Sequence, residues 1–382
     1  MKALNIYYLS FLNITKYFDG NSKKNKSLIF TRVPIIKKIH SERIQTVVFN
    51  ICVIIEPLIS FLIVTLLLLP YCFKSLITKK QQLCDLLYID NCPLLRGRVI
   101  SAGKYDDSLD WLYSFSVSKK DWDRSKRCHS IFEYVNVHNV IQSYLLSVRA
   151  ILGAQKILKF KYVFRTFNCF EFFLTYYFLN NISANITLCF CNQMDRWAIL
   201  FDHAPQKKRI LFQHGIEDPK ADWPIKFERT DTVYVLSMEE AELLFKAAFK
   251  VRPSNIYQLK PTIKLTRIDD DSFKILIVGL PGYLLYDKEL ELVKAFNEDG
   301  YTVYLKPHPG KEDMTTYLNL EKEYPNCKII LKQMFPDVDV VCSYRSTLAV
   351  EYRVHNKFVM LYDDYPVEKM IEKIKQLKGQ KV

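Results

Sequence analysis

Glycine is scarce in this chain, with 10 in 382 residues, and proline reaches only 15. That excludes collagen-like, linker-rich and low-complexity chains. The ten cysteines (52, 72, 84, 92, 128, 169, 189, 191, 327 and 342) form no C-x-x-C. Cys189-Phe-Cys191 is not a zinc spacing, so buried free thiols in a reducing compartment are expected. There is no repeat of 20 to 50 residues, which argues against a solenoid or propeller. No signal peptide opens the chain, because residues 1–43 are polar and basic. P-loop, H-E-x-x-H, G-x-S-x-G and G-x-G-x-x-G motifs are all missing.

The 382 residues suit two or three domains, and enough core to bury most of the unfolded surface. The net charge is 54 − 41 = +13. Residues 1–80 hold twelve Lys/Arg and three acids, or +9 of that total. Such a basic end suits an anionic surface, lipid head groups or nucleic acid. The other 302 residues carry only +4, so the bulk of the chain is not a nucleic-acid binder.

Residues 44–73 form an apolar run interrupted by Glu56-Pro57. Three readings stay open. The run forms a spanning or half-inserted helix flanked by bases, which would place the chain at the cytoplasmic side of a membrane; cytoplasmic without the membrane is the alternative. It forms a strand at 45–55 and a buried helix from Leu58, with a first strand at 4–9 and a helix at 28–39. Or it docks a partner. Residues 1–84 are accordingly a basic N-terminal region, membrane-associating or part of the first domain.

Beyond it, apolar runs alternate with helical spacing. Strands are expected at 161–165, 186–190, 209–212, 232–236 and 255–259, then at 273–278, 301–305, 328–331, 338–342 and 358–361. Helices fall between them, as at 287–297 and 346–354. Alternation of this kind means crossover units and parallel sheets. The fold class expected is α/β, with two Rossmann-like domains facing each other across a cleft. The N-terminal, acceptor domain spans 85–260, a polar linker 261–271 and the nucleotide-donor domain 272–382.

Ligands in such sheets lie just past the carboxyl ends of strands, and three motifs fall there. Gln213-His214-Gly215 ends one strand: His is suited to proton transfer near neutral pH, and Gly allows close approach. Lys306-Pro307-His308-Pro309 ends another, a rigid loop with a cation and a donor for phosphate. Ser343-Tyr344-Arg345-Ser346-Thr347 runs a strand into a helix start, where hydroxyls and backbone N–H groups suit an anion. Each has a plainer reading: a loop histidine, a Pro-rich turn, an ordinary Ser N-cap.

Weaker candidates are Asp195 and Arg196 at a helix start, lining an acceptor cleft or merely capping and packing. Glu217, Asp218 and Asp222 follow the His214 turn as acceptor-side acids or an alternative base. Gly279 and Gly282 open the C-terminal sheet. Glu298-Asp299-Gly300 reads as a turn. Asp337-Val-Asp339 begins a strand, so a metal-independent reaction is preferred, with no metal site.

Q-H-G, then K-P-H-P, then S-x-x-S-T, over residues 160–362, resembles the GT-B-fold transferases of bacterial surface polysaccharide synthesis. These include the CDP-glycerol glycerophosphotransferases, capsular Kdo transferases and some bacterial sialyltransferases. The resemblance implies a glycosyltransferase with a CMP- or CDP-linked donor as substrate, no other cofactor, and a glycan or glycolipid acceptor. It implies that His308, Ser346 and Thr347 bind the donor phosphate and that His214 is the base on the acceptor side. The chain departs from the sialyltransferase acidic base motif, and Cys342-Ser343-Tyr344-Arg345 lacks the acid usual in glycerophosphate polymerases. The alternative of another class is a non-catalytic, membrane-tethered binding or scaffold protein with a degenerate transferase fold.

Overall fold

The computed structural model describes residues 2–19, 42–90, 94–105, 109–113, 127–157, 169–193, 195–268, 272–279, 287–308, 315–330, 334–362 and 364–381. The strand expected at 161–165, the helix at 28–39, Gly282 and Pro309 lie outside these residues. The chain divides into two compact units. The first holds residues 1–235 and 242–257, the second 236–241 and 258–382.

The first unit begins with two helices. They are α1 (Lys2–Asp19) and α2 (Glu42–Ile77), the latter 36 residues long with Pro57 and Pro70 inside it. Both replace the strands that one reading put at 4–9 and 45–55. Glu56, Ser60, Val64 and Tyr71 are buried, a spacing of four, four and seven that puts them on one helical stripe. Burying that stripe outweighs the backbone bonds that each proline removes. Tyr7 of α1 is fully buried, with its ring 5.2 Å from both Phe172 and Phe173. Both helices thus pack into the first unit.

The sheet of this unit has seven strands. They are β1 (Leu86–Asp90), β2 (Asp110–Tyr113), β3 (Arg127–His129), β4 (Thr187–Cys191), β5 (Lys208–Phe212), β6 (Thr232–Val235) and β7 (Asn255–Gln258). Its order is β3-β2-β1-β4-β5-β6-β7, and the pairs from β3 to β6 are parallel. Between β1 and β2 lies α3 (Leu95–Ser101). Between β3 and β4 lie α4 (Val137–Ile157) and α5 (Cys169–Asn181). The short α6 (Arg196–Asp202) follows β4, and α7 (Ala241–Ala248) follows β6. The central strands β1, β4, β5 and β6 are largely apolar and buried, as parallel strands covered on both faces must be, while the edge strand β7 is mostly exposed.

The second unit has five parallel strands. They are β8 (Lys274–Val278), β9 (Thr302–Lys306), β10 (Cys327–Ile329), β11 (Val340–Ser343) and β12 (Phe358–Leu361), in the order β10-β9-β8-β11-β12. Its helices are α8 (Asp287–Glu298), α9 (Thr315–Glu323), α10 (Thr347–Val354) and α11 (Val367–Lys381). One face of the sheet buries Ile275, Ile277, Val303 and Leu305 under Leu292, Phe296 and Met370. The other buries Leu276, Val341 and Tyr352.

As far as it is described, the stretch expected as a linker, 261–271, packs on this unit. The Thr262 N–H and hydroxyl donate to Glu351, Thr266 donates from its N–H to the Phe335 carbonyl at 2.7 Å, and Ile263 is buried. Its polar residues make specific bonds, which composition alone does not distinguish from solvation. Cys72, Cys84, Cys128, Cys169, Cys189, Cys191, Cys327 and Cys342 are free thiols, the last five of them buried.

Candidate functional sites

In the second unit, β8 and β11 are neighbours whose connections leave to opposite sides of the sheet order. This is the switch point at which open parallel sheets bind ligands, beyond the carboxyl ends of the strands. Gly279 follows β8 and donates its N–H to the Lys306 carbonyl at 2.9 Å. A Cβ on Gly279 would lie 3.2 Å from the Tyr317 hydroxyl and 3.5 Å from the His308 nitrogen. Only the Tyr317 hydroxyl would be crowded; the His308 nitrogen lies at an ordinary van der Waals distance. His308 is half-buried.

Beside them, β11 ends in Ser343, whose hydroxyl donates to the Tyr344 carbonyl at 2.7 Å and lies 3.1 Å from that of Ser346. Ser346 is the N-cap of α10, its Oγ accepting the Ala349 N–H at 3.2 Å. Thr347 is the first residue of that helix. The plainer reading of Ser346, a cap, therefore holds for its hydroxyl, while the uncapped N–H groups of the first turn remain as anion donors. The Arg345 guanidinium is oriented by Glu240, 3.3 Å away, and the same carboxylate takes Arg353 at 3.0 Å.

Lys306 behaves differently from the phosphate-binding cation expected of it. Its ammonium donates to the Met334 carbonyl at 2.9 Å and sits 4.5 Å from the centre of the Phe335 ring. The residue is 4% exposed, and burial lowers its pKa. The strand turns this side chain inward, a direction set by the pleat and not by the motif. Near the end of β12, Lys288, Tyr362, Asp364 and Tyr365 line a further pocket.

In the first unit, the His214 turn is held by groups that the motif does not contain. The His214 N–H donates to the Gln193 Oε1 at 2.9 Å, and the His214 carbonyl accepts from Arg98 at 3.3 Å. The Gln193 amide donates both to the Gly215 carbonyl and to Glu217, each at 3.0 Å. Gln213 also donates to the Gly215 carbonyl. The other Glu217 oxygen accepts the Trp223 indole N–H at 3.1 Å. Burial pushes the Glu217 carboxyl up, against the pull of the Gln193 and Trp223 bonds. Glu217 is therefore an anchor of the turn, with both oxygens engaged.

Asp218 is exposed and accepts the Lys220 N–H, and Asp222 pairs with Lys226. The His214 imidazole, half-exposed at the end of β5, is the group on this turn best placed to take a proton.

Sequence reasoning missed Arg98, Gln193, Trp223, Tyr317 and Glu240. Gln193 had a signal: it lies just past β4, after Asn192 with its φ of 75°, as His214 lies past β5. Asp195 precedes α6 without capping it through its side chain. Arg196 is buried beside the Trp197 ring, 5.1 Å from its centre, on the packed side of the helix. Asp339 accepts the Lys274 N–H and Asp337 pairs with Lys357, at the end of the sheet away from the motifs. Asp299 pairs with Lys375 beside Gly300, which turns at a φ of 72°. Among the described residues, no three His, Cys, Asp or Glu side chains converge as a metal cage requires.

No protein-family model and no curated protein matches the sequence. Among solved structures, the chain is similar to TarM, with 11% identity over 79% of this chain and 92% of that one and a TM-score of 0.43. It is similar to the wall teichoic acid polymerase TagF, with 11% identity over 76% and 72% and a TM-score of 0.38. The calicheamicin glycosyltransferase CalG4 gives 11% identity over 76% and 89%, with a TM-score of 0.39.

Proposed function

We propose that this chain is a glycosyltransferase. It would move a sugar, or a related polyol-phosphate group, from a CMP- or CDP-linked donor to a cell-surface glycan or glycolipid. The observation that supports this reading is the convergence at one switch point of Gly279, His308, Ser343 and the first turn of α10. These are backbone and imidazole donors gathered for an anion, beside an arginine that Glu240 orients.

In the glycosyl reaction, an acceptor hydroxyl oxygen forms a bond to the donor's anomeric carbon as the bond from that carbon to the phosphate oxygen breaks. The nucleotide leaves with the electron pair. Charge grows on its phosphate, and donors fixed in advance around that charge lower the barrier. His308, Arg345 and the α10 amides would do this work. His214 would take the hydroxyl proton, and Gln193 and Arg98 would keep its backbone in place. No step draws on a cofactor beyond the donor.

The test measures nucleotide affinity (CMP, CDP, UDP and GDP) and nucleotide release from donor. His308→Ala is expected to cost about 10²–10³ in rate at an unchanged melting temperature. Ser346→Ala should cost less, because the helix amides remain. A His308→Ala variant that binds and turns over like the parent overturns the reading. Nucleotide binding without any transfer would instead favour the non-catalytic alternative.

A further inference from the structure

The α2 helix has two faces. Glu56, Ser60, Val64 and Tyr71 are buried and face the body of the first unit, where α2 packs along α4. The opposite face carries Ile54, Leu58, Leu62, Leu66, Leu69 and Leu76, which are 51–78% exposed. Exposed aliphatics extend this face from Ile44 to Ile77, about 50 Å at 1.5 Å per residue. Ile54–Ile77 is also the one stretch among the described residues long and apolar enough to cross a membrane, and 22% of it is buried.

From this we infer that α2 lies in the plane of an anionic membrane surface, its aliphatic face among the acyl chains and its buried face on the protein. Three observations favour this occupant. A spanning helix would meet lipid all round, whereas the Glu56-to-Tyr71 stripe is already covered by protein. The exposed strip is longer than the roughly 30 Å that a bilayer core asks of a perpendicular helix. It is also almost wholly aliphatic, while protein-binding hot spots are rich in Trp, Tyr and Arg.

Charge and polar satisfaction agree. Lys74 in the last turn and Lys79 and Lys80 just past it are exposed, although the Lys74 and Lys80 ammoniums also lie over the Phe132 and Tyr134 rings; the first 80 residues carry +9, as an anionic surface would select. Thr65, on the exposed side, donates its hydroxyl to the Phe61 carbonyl at 2.8 Å. It therefore brings no unmet polar group into lipid.

The experiment uses the full chain with phosphatidylcholine vesicles, with and without phosphatidylglycerol. Cosedimentation is expected with the anionic vesicles, weakened by salt. Leu62→Glu, Leu66→Glu and Leu69→Glu should each cost about tenfold or more in vesicle affinity, since each replaces an exposed leucine that the lipid would bury. Their melting temperatures should stay at the parent's, because these side chains touch no core. Leu58→Trp, Leu66→Trp and Leu76→Trp, read against the parent with brominated lipids, should be quenched at one common depth.

Graded depths along those three positions would mean a spanning helix and overturn the proposal. So would glutamate variants that bind vesicles as the parent does. A parent that ignores vesicles but forms a dimer dispersed by Leu66→Glu would assign the face to a second copy and overturn it too. None of these readouts depends on transferase activity, so the two readings fail separately.

Discussion

Gln193 donates to Glu217 at 3.0 Å, and almost no water reaches either side chain. Since Gln193 also accepts the His214 N–H, one amide ties the end of β4 to the turn after β5. Gln193→Leu keeps the bulk and removes these two bonds and the one to the Gly215 carbonyl. A buried group left without its partner costs about 1–3 kcal/mol, so the variant should melt lower than the parent. If His214 is the base, transfer should fall further than the lost stability explains. Calorimetry and donor turnover on one preparation check this.

Gly279→Ala should crowd the loops of the proposed donor site and destabilise the second unit. The new methyl would stand 3.2 Å from the Tyr317 hydroxyl and 3.4 Å from the Lys306 carbonyl. Overpacking of this kind costs about 1–3 kcal/mol. That cost falls on the folded protein with or without nucleotide, so the variant should melt lower than the parent. Tyr317→Phe removes the closest atom, so the double variant should recover part of the loss. Melting temperatures of the single and double variants decide it.

Lys306 should be a residue of stability. Lys306→Ala loses the bond to the Met334 carbonyl and the contact with the Phe335 ring, and should destabilise by about 1–3 kcal/mol. Lys306→Met keeps the stem and should bind nucleotide much as the parent does, with the same salt dependence. Loss of affinity in Lys306→Met at an unchanged melting temperature would return the residue to the phosphate.

Glu171 gives a pH signature. Burial raises its carboxyl to about 7, although Arg196 pulls it down; the unfolded value is about 4.3. A raised carboxyl favours the folded state fully below the unfolded pKa, and the contribution is lost as pH rises through the folded one. The parent should therefore lose stability between about pH 4 and 7. Glu171→Gln should lack that slope, as a melting series across this range would show.

The alternation of strands and helices from β4 onward was legible because local periodicity encodes it. The motif positions were legible because parallel sheets place function at strand ends. The strands after 273 fall within two residues of their expected positions, and the His214, His308 and Ser343 motifs lie past β5, β9 and β11. The N-terminal region was harder to read. Its apolar run fits a strand followed by a helix as well as one long helix, and the choice depends on what covers the Glu56-to-Tyr71 stripe.

The sequence by itself determined the α/β class, the two parallel sheets and the strand ends that bear His214, His308 and Ser346. These follow from residue spacing within a few positions of one another. Only the tertiary structure decided that Lys306 turns into the unit, that Glu240 holds Arg345, and that Arg98 and Gln193 support the His214 turn. The partners in those pairs stand about 20 to more than 100 residues apart. No local pattern specifies such meetings, because they arise when the crossovers of a parallel sheet bring the ends of distant strands side by side.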